Sequence, residues 1–163
     1  MIHVDQVIVD AGHGDCLQAC TASILEVRMS AVPNFGDAPE GLFHSLYRAV
    51  MYGYGWHVCD VAVPKGVTLW HGCGIDDCYI ASVPSRNIDG THAVVINADG
   101  LVVHDPSPHK NYQDENVFKT EQIHHFDTYQ ARTDDSWNCF HAMMVRAKMR
   151  KNHEQACKES EPG

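Results

Sequence analysis

The sequence of 163 residues lacks long apolar segments and has few basic residues. Its longest apolar runs, such as residues 93–96 and 101–103, are as long as a strand. They are far shorter than the roughly 20 residues that a membrane-spanning helix needs. Only 12 Lys and Arg stand against 21 Asp and Glu, which gives a formal net charge of −9. Because nucleic acids and anionic membranes bind clustered basic surfaces, we expect neither as a partner.

The number of cysteines is odd, and the first residues do not have the basic and apolar character of a secretory signal. Seven Cys cannot all pair within one chain, and residues 1–6 have neither the charge nor the hydrophobicity of a secretory signal. Both observations favour a reducing compartment. We therefore expect a cytoplasmic protein (in the host cytoplasm if a phage encodes it) whose cysteines are core residues, metal ligands or reagents.

Length and hydrophobic content predict one domain over residues 1–146 and a charged C-terminal tail over residues 147–163. Apolar residues at helical spacing predict two helices, over residues 16–27 and 40–52. From residue 56 onward the period changes, and short β-branched runs bounded by Gly or Pro predict strands. The predicted strands cover residues 56–63, 79–83, 91–96 and 101–105. Helices followed by an antiparallel sheet are typical of the α+β class.

The last third of the sequence carries weaker signals. Residues 106–136 are polar and irregular in pattern, so no helix or strand is predicted there. Residues 137–145 have the composition of a final strand, and the start of a helix is the alternative.

Cys16 is the first candidate for chemistry, because it is predicted at the first turn of a helix. It follows the turn-forming residues 10–15, of which Gly14 or Asp15 can cap the helix. Unpaired N–H groups and the positive end of the helix dipole converge there, which lowers the pKa of a thiol and favours the thiolate. The alternative is that Cys16 is a small buried residue, as we expect for Cys20 one turn later.

A thiolate nucleophile needs an imidazole partner and a group that orients the imidazole. The predicted hairpin over residues 90–106 contains both groups, in His92 and Asp105. A two-residue turn at Ala98 and Asp99 places His92 directly opposite Asp105. A three-residue loop with a bulge at Gly100 shifts the pairing by one residue and separates the two on opposite faces. In the alternative interpretation, His92 is a strand-end histidine and Asp105 a turn former.

A Cys at a helix start, a His at a strand start and an Asp one strand later resemble the papain-like cysteine peptidases. The sequence most resembles the C39-like branch and related small proteins of bacteria and bacteriophages. The resemblance covers roughly residues 1–110. It is carried by residues 14–25, 32–35, 90–95 and 104–106.

The resemblance implies a papain-like α+β fold, in which an N-terminal helix carries the Cys and a small antiparallel sheet carries the His and the Asp. It implies that Cys16 is the nucleophile, that His92 acts as base and then as acid, and that Asp105 orients His92. Papain-like enzymes also use an upstream Gln to complete the oxyanion hole, and Gln6 is the only Gln before Cys16. The implied substrate is a peptide, a protein or a small-molecule amide, and no cofactor is implied.

The sequence departs from the family at several positions, so the resemblance implies a fold and a catalytic class but no particular substrate. The gap between Gln6 and Cys16 is longer than in papain, and Leu17 stands where the bacteriocin-processing C39 peptidases have Gly. The Asp-Cys-Ser-Gly pattern of the peptidoglycan-cleaving NlpC/P60 enzymes is absent. The resemblance therefore implies a cysteine-type peptidase or amidase without specifying its amide substrate or its oligomeric state.

Three alternatives to amide hydrolysis stay open. The same triad can transfer the acyl group to an amine or deamidate a side chain, and a binding module can retain the fold without catalysis. A zinc protein organised on His71, Cys73 and Cys78 is the third. Structural zinc sites usually have two pairs of ligands, and the second pair is missing here, so an ordinary loop with incidental Cys is favoured over this site.

Overall fold

Two α-helices precede five β-strands along the part of the chain that the structure describes. The computed structural model describes residues 1–10, 12–62, 74–120 and 123–131. The helices are α1 (Cys16–Leu25) and α2 (Phe43–Gly53), and the strands are β1 (Trp56–Ala62), β2 (Cys78–Pro84), β3 (Thr91–Asn97), β4 (Val102–His104) and β5 (His125–Ala131). The strands form one antiparallel sheet in the order β1-β5-β2-β3-β4. The predicted α+β class is confirmed.

Helix α1 packs against the sheet through small side chains, which let its backbone approach β3 closely. Ala19, Cys20 and Ile24 are buried on this side of the helix. The helix ends at Leu25 because the next residue, Glu26, adopts the left-handed conformation with φ 56°, so it stops before the predicted end at residue 27. No helix in the described ranges is long and apolar enough to cross a membrane.

The sheet is buried on both faces, so the protein has two apolar clusters. The cluster between the helices and the sheet includes Phe35, Met51 and Val95. The cluster on the opposite face includes Val94 and Tyr112. Two-sided burial explains why β2 and β3 are almost continuously apolar in sequence rather than alternating.

Strand β5 corrects the prediction that residues 106–136 are irregular. It pairs with β1 on one side and with β2 on the other. Its two buried aromatic residues, Phe126 and Tyr129, belong to the two different clusters, so neither face of the strand shows an apolar period of two. The predicted strand over residues 137–145 and the predicted tail over residues 147–163 lie outside the described residues.

The β3–β4 register differs from both predicted registers. Near the turn, Ile96 pairs with Val102, which is the pairing of the three-residue loop, and Gly100 has a positive φ of 80°. The next pair is Val95 with His104, so Val103 is an extra residue on β4. This β-bulge shifts the register by one more residue and returns Asp105 to the face of the sheet that carries His92.

Two carboxylates lie directly opposite each other in the β1–β5 ladder. Asp60 pairs with Asp127 across the two strands. Burial raises the pKa of Asp127 to about 6, and the charge of Asp60 adds to the rise, while a hydrogen bond from Tyr47 and the nearby His44 and Arg48 oppose it. The charged form of Asp127 is therefore disfavoured in the folded protein.

Asp127→Asn should stabilise the protein at neutral pH. The pKa of Asp127 is 3.8 in the unfolded chain and about 6 in the folded protein. The free energy of unfolding of the wild-type protein therefore falls as pH rises through this range, because the carboxyl must ionise where its charge is disfavoured. The free energy of unfolding should therefore rise by about 2–3 kcal/mol at about pH 7.5, and the gain should vanish below about pH 4. Urea denaturation at both pH values measures it.

The exposed Asp99, in the turn after β3, provides the matched control for this substitution. Asp99→Asn should change the free energy of unfolding equally at both pH values. An equal gain for Asp127→Asn at low and neutral pH would contradict the role assigned to the charge of Asp127.

Candidate active site

Cys16 is the first residue of α1, as the sequence predicted, and its side chain is half-buried. Asp15 is the N-cap residue, yet its side chain makes no capping hydrogen bond. Hydrogen bonding to His92 and to the backbone N–H groups of Ala93 and Leu17 favours the thiolate form of Cys16. Burial alone raises the pKa of the Cys16 thiol, but these hydrogen bonds and the charge of His92 outweigh it, and the net shift is downward.

Cys20 lies one turn later on α1 in a different environment. It is fully buried, and its thiol donates a hydrogen bond to the carbonyl oxygen of Ala93 at 3.3 Å. Burial raises the pKa of Cys20 well above its usual value, and the nearby Cys16 adds to the rise. The two cysteines therefore differ in the expected direction, with Cys20 as a core residue and Cys16 as the thiol that ionises more easily.

His92 lies at the start of β3 and connects the thiol to a carboxylate. Its Nε2 lies 2.8 Å from Oδ1 of Asp105, which leaves Nδ1 for the contact with Cys16. Burial lowers the pKa of His92, but the hydrogen bonds to Asp105 and Cys16 raise it more, to about 9. The lowered thiol pKa and the raised imidazole pKa together favour a thiolate–imidazolium pair.

Asp105 follows β4 and has no exposed surface. Besides His92, its carboxylate accepts hydrogen bonds from the backbone N–H groups of Ser107 and Tyr112, each at 2.9 Å. Burial raises the pKa of Asp105, but the contacts with His92, Tyr112 and Ser107 more than offset it and lower the pKa. The bond to Ser107 places Asp105 in a turn, as one sequence interpretation has it, while its orienting role in catalysis stays a prediction.

Gln6 lies on the wall of the cavity that also holds Cys16 and His92. Its side-chain Nε2 donates to the carbonyl oxygen of Ile8 at 3.0 Å, and its backbone N–H donates to Pro106. The side-chain Oε1 is buried and has no hydrogen-bond partner among the described residues. The structure thus brings Gln6 to the site, while its role at the oxyanion stays a prediction.

Asp15 positions Gln6, a contribution that sequence reasoning missed by treating Asp15 only as a cap. The side chain of Asp15 is almost fully buried, and its carboxylate accepts from the backbone N–H groups of Val7 and Ile8 at 3.0–3.1 Å. These bonds hold the segment that carries Gln6 against the start of α1. A carboxylate immediately before the candidate nucleophile was the signal in the sequence.

A single cavity of about 640 Å³ contains the thiol and the imidazole. Its walls come from the N-terminal segment, the start of α1, α2, the β1–β5 edge and the loop between β2 and β3. Arg48 faces the cavity alongside five carboxylates, which belong to Asp10, Glu40, Asp60, Asp89 and Asp127. Among the Asp, Glu, Lys and Arg side chains of the walls, carboxylates therefore outnumber cations, while His44, His92, His124 and His125 also line the cavity.

No group of three or more His, Cys, Asp and Glu side chains is arranged to hold a metal ion in the described part of the chain. Cys78 begins β2, whereas His71 and Cys73 lie outside the described residues. The alternative zinc site thus stays a prediction.

The chain matches no family model, and comparison with curated proteins and with solved structures found no significant match. The resemblance to papain-like proteins is therefore a prediction from the residues themselves, above all from Cys16, His92 and Asp105.

Proposed function

We propose that this protein is a papain-like thiol hydrolase that cleaves a peptide, isopeptide or other amide bond. The observation that carries the proposal is the 2.8 Å hydrogen bond between His92 and Asp105, with His92 in the same cavity wall as Cys16 and lowering the pKa of its thiol. Nucleophile, base and orienting group follow one another in the order that activated-thiol catalysis requires. The proposed fold is papain-like, with the thiol on α1 and the two partners on the sheet that α1 packs against.

In the proposed reaction, the Cys16 thiolate attacks the amide carbonyl carbon and forms a C–S bond. The backbone N–H of Cys16 and the Gln6 side chain donate to the oxygen as it becomes negative. His92 then gives its Nδ1 proton to the leaving nitrogen, and the C–N bond breaks to leave a thioester. His92 takes a proton from water, the water oxygen attacks the thioester, and the acid product leaves with Cys16 restored.

The ionisation of the site supports this reaction. The lowered pKa of Cys16 and the pKa of His92, raised to about 9, both favour the charged pair over the neutral pair before substrate binds. Such a pair supplies both the nucleophile and the acid for the first step.

An amine in place of water gives acyl transfer, and a glutamine amide as substrate gives deamidation, by the same steps. The cytoplasmic location stays a prediction.

Iodoacetamide should alkylate Cys16 selectively at about pH 6, because an activated cysteine reacts as its thiolate. The rate at Cys16 should exceed the rates at Cys20, Cys59 and Cys78 at least about tenfold, and His92→Ala should remove the difference. Site-resolved mass spectrometry over a time course measures all four rates. Equal, slow rates at all four cysteines would favour a non-catalytic binding module.

Substitutions should affect amide cleavage in a fixed order if the triad acts as a unit. Cys16→Ala should abolish turnover with the fold intact, and His92→Ala should be nearly as severe. Asp105→Ala should leave measurable activity, because β3 already positions the imidazole. Gln6→Ala should cost about 10²–10³ in rate if its amide donates to the oxyanion. Turnover of a fluorogenic peptide library, with circular dichroism of each variant, measures the order.

Cys20→Ala is the matched control for Cys16→Ala, since both remove a thiol from the same helix. It should lower the free energy of unfolding by about 1 kcal/mol and retain activity. Loss of activity in Cys20→Ala together with full activity in Cys16→Ala would show that the nucleophile is the other cysteine.

Acidic peptides should be poor substrates, because like charges in a partly desolvated cavity repel. In a positional-scanning peptide library, Asp and Glu near the scissile bond should be disfavoured by about tenfold relative to Asn and Gln. Asp89→Asn, which removes one wall carboxylate next to the triad strand, should reduce this discrimination. A library in which acidic and amide side chains are cleaved equally would contradict the expectation.

A further inference from the structure

Arg86 lies just beyond the end of β2 and contacts the loop that holds Asp105. We propose that Arg86 is a positioning residue for the triad: it fixes Tyr112, and through Tyr112 it fixes the carboxylate that orients His92. This inference rests on the proposed function, since it concerns the same three catalytic side chains. Arg86 itself is outside the cavity wall, so it acts through its neighbours.

The Arg86 guanidinium makes contacts that define its position in several directions. Its two terminal nitrogens donate to the two carboxylate oxygens of Glu115 at 2.6 and 2.8 Å. Nη1 also donates to the carbonyl oxygen of Asn111 at 2.5 Å. The guanidinium carbon lies 3.9 Å from the centre of the Tyr112 ring, in a cation–π contact. A planar fork paired in this way is far more constrained than a single ion pair.

Tyr112 connects this guanidinium to the triad. Its backbone N–H donates to Oδ2 of Asp105 at 2.9 Å, and its hydroxyl donates to the carbonyl oxygen of Pro84 at 2.7 Å. The residue is 2 % exposed. Tyr112 is thus fixed by hydrogen bonds at both ends, from its backbone N–H to Asp105 and from its hydroxyl to Pro84. The Arg86 guanidinium packs on the face of the ring.

The same contacts attach one wall of the cavity to the Asp105 loop. Val83 pairs with His92 in the β2–β3 ladder, so Arg86 follows a strand end that lies beside the start of the His92 strand. One residue further, Asn87 lines the cavity, donates to Ser107 Oγ at 3.4 Å and accepts from Asn111 at 2.9 Å. Displacement of the Arg86 side chain should therefore disturb the orientation of Asp105 and the wall together.

If Arg86 had a purely structural role, its substitution would change the stability of the protein. If Arg86 positions Asp105, its substitution should change the ionisation of Cys16. The side chains of Arg86 and Glu115 are each 34 % exposed, so solvent partly screens their ion pair and limits its contribution to overall stability. If Arg86 positions Asp105, its loss weakens the hydrogen bond to His92, which lowers the pKa of His92 and raises the pKa of Cys16. The effect should then be seen in the ionisation of Cys16 more than in stability.

The test is the pH profile of Cys16 alkylation by iodoacetamide in the full chain. In Arg86→Gln the midpoint should move to higher pH by about 0.5–1 unit, approaching the shift in Asp105→Ala. Glu115→Gln should produce a similar shift, and the double variant should add nothing, because both substitutions break one unit. Arg86→Lys keeps the charge without the fork and should give an intermediate shift.

Glu26→Gln is the matched control, because it breaks an ion pair with the N-terminal amine beyond the far end of α1. Its alkylation midpoint should equal that of the unmodified protein. Unchanged midpoints in folded Arg86→Gln and Arg86→Lys would overturn the positioning role, even with Cys16 strongly activated. If Cys16 is not activated in the unmodified protein, the proposed function itself fails, and the two failures are thereby distinguished.

Discussion

The candidate site depends on the complete burial of one carboxylate, Asp105. A charged group without solvent must find hydrogen-bond donors within the protein, since an uncompensated buried charge costs several kcal/mol. His92 and the N–H groups of Ser107 and Tyr112 supply them. Because two of the three donors belong to the backbone just after Asp105, the loop must fold around the carboxylate. Satisfying Asp105 thus sets the shape of the loop and the orientation of the imidazole together.

The sequence suggested which residues of the candidate site lie near one another, whereas it could not predict their geometry. A helix-start cysteine, a strand-start histidine and an aspartate after the next strand are local features, and the structure brings them together. The hairpin register was beyond prediction, because the bulge at Val103 depends on packing against both faces of the sheet. The donors of Ser107 and Tyr112 are main-chain groups, which no residue type reveals.

The same distinction explains the strand that was missed. Strand β5 lies inside the sheet, yet its apolar residues are divided between the two clusters and its remaining side chains are mostly polar. A pattern analysis that assigns one buried face to each strand cannot recognise such a segment. Burial raises the pKa of Asp127 on this strand to about 6, a consequence of tertiary position that the residue type does not reveal. Tertiary context therefore overrides local pattern most clearly where the cavity meets the sheet.

The charge of the cavity opposes the chemistry proposed for it, and the short-range contacts outweigh that charge. Five wall carboxylates and the protein's formal net charge of −9 both disfavour a thiolate. Exposed charges farther apart than about 10 Å are largely screened, whereas a partly buried hydrogen-bonding group beside the thiol is screened much less. The pKa of Cys16 is lowered even so, because His92 and two backbone N–H groups donate directly to it. The wall carboxylates also stabilise a positive charge on His92. They therefore favour the imidazolium that acts as the acid, while the hydrogen bonds to Cys16 favour the thiolate that acts as the nucleophile.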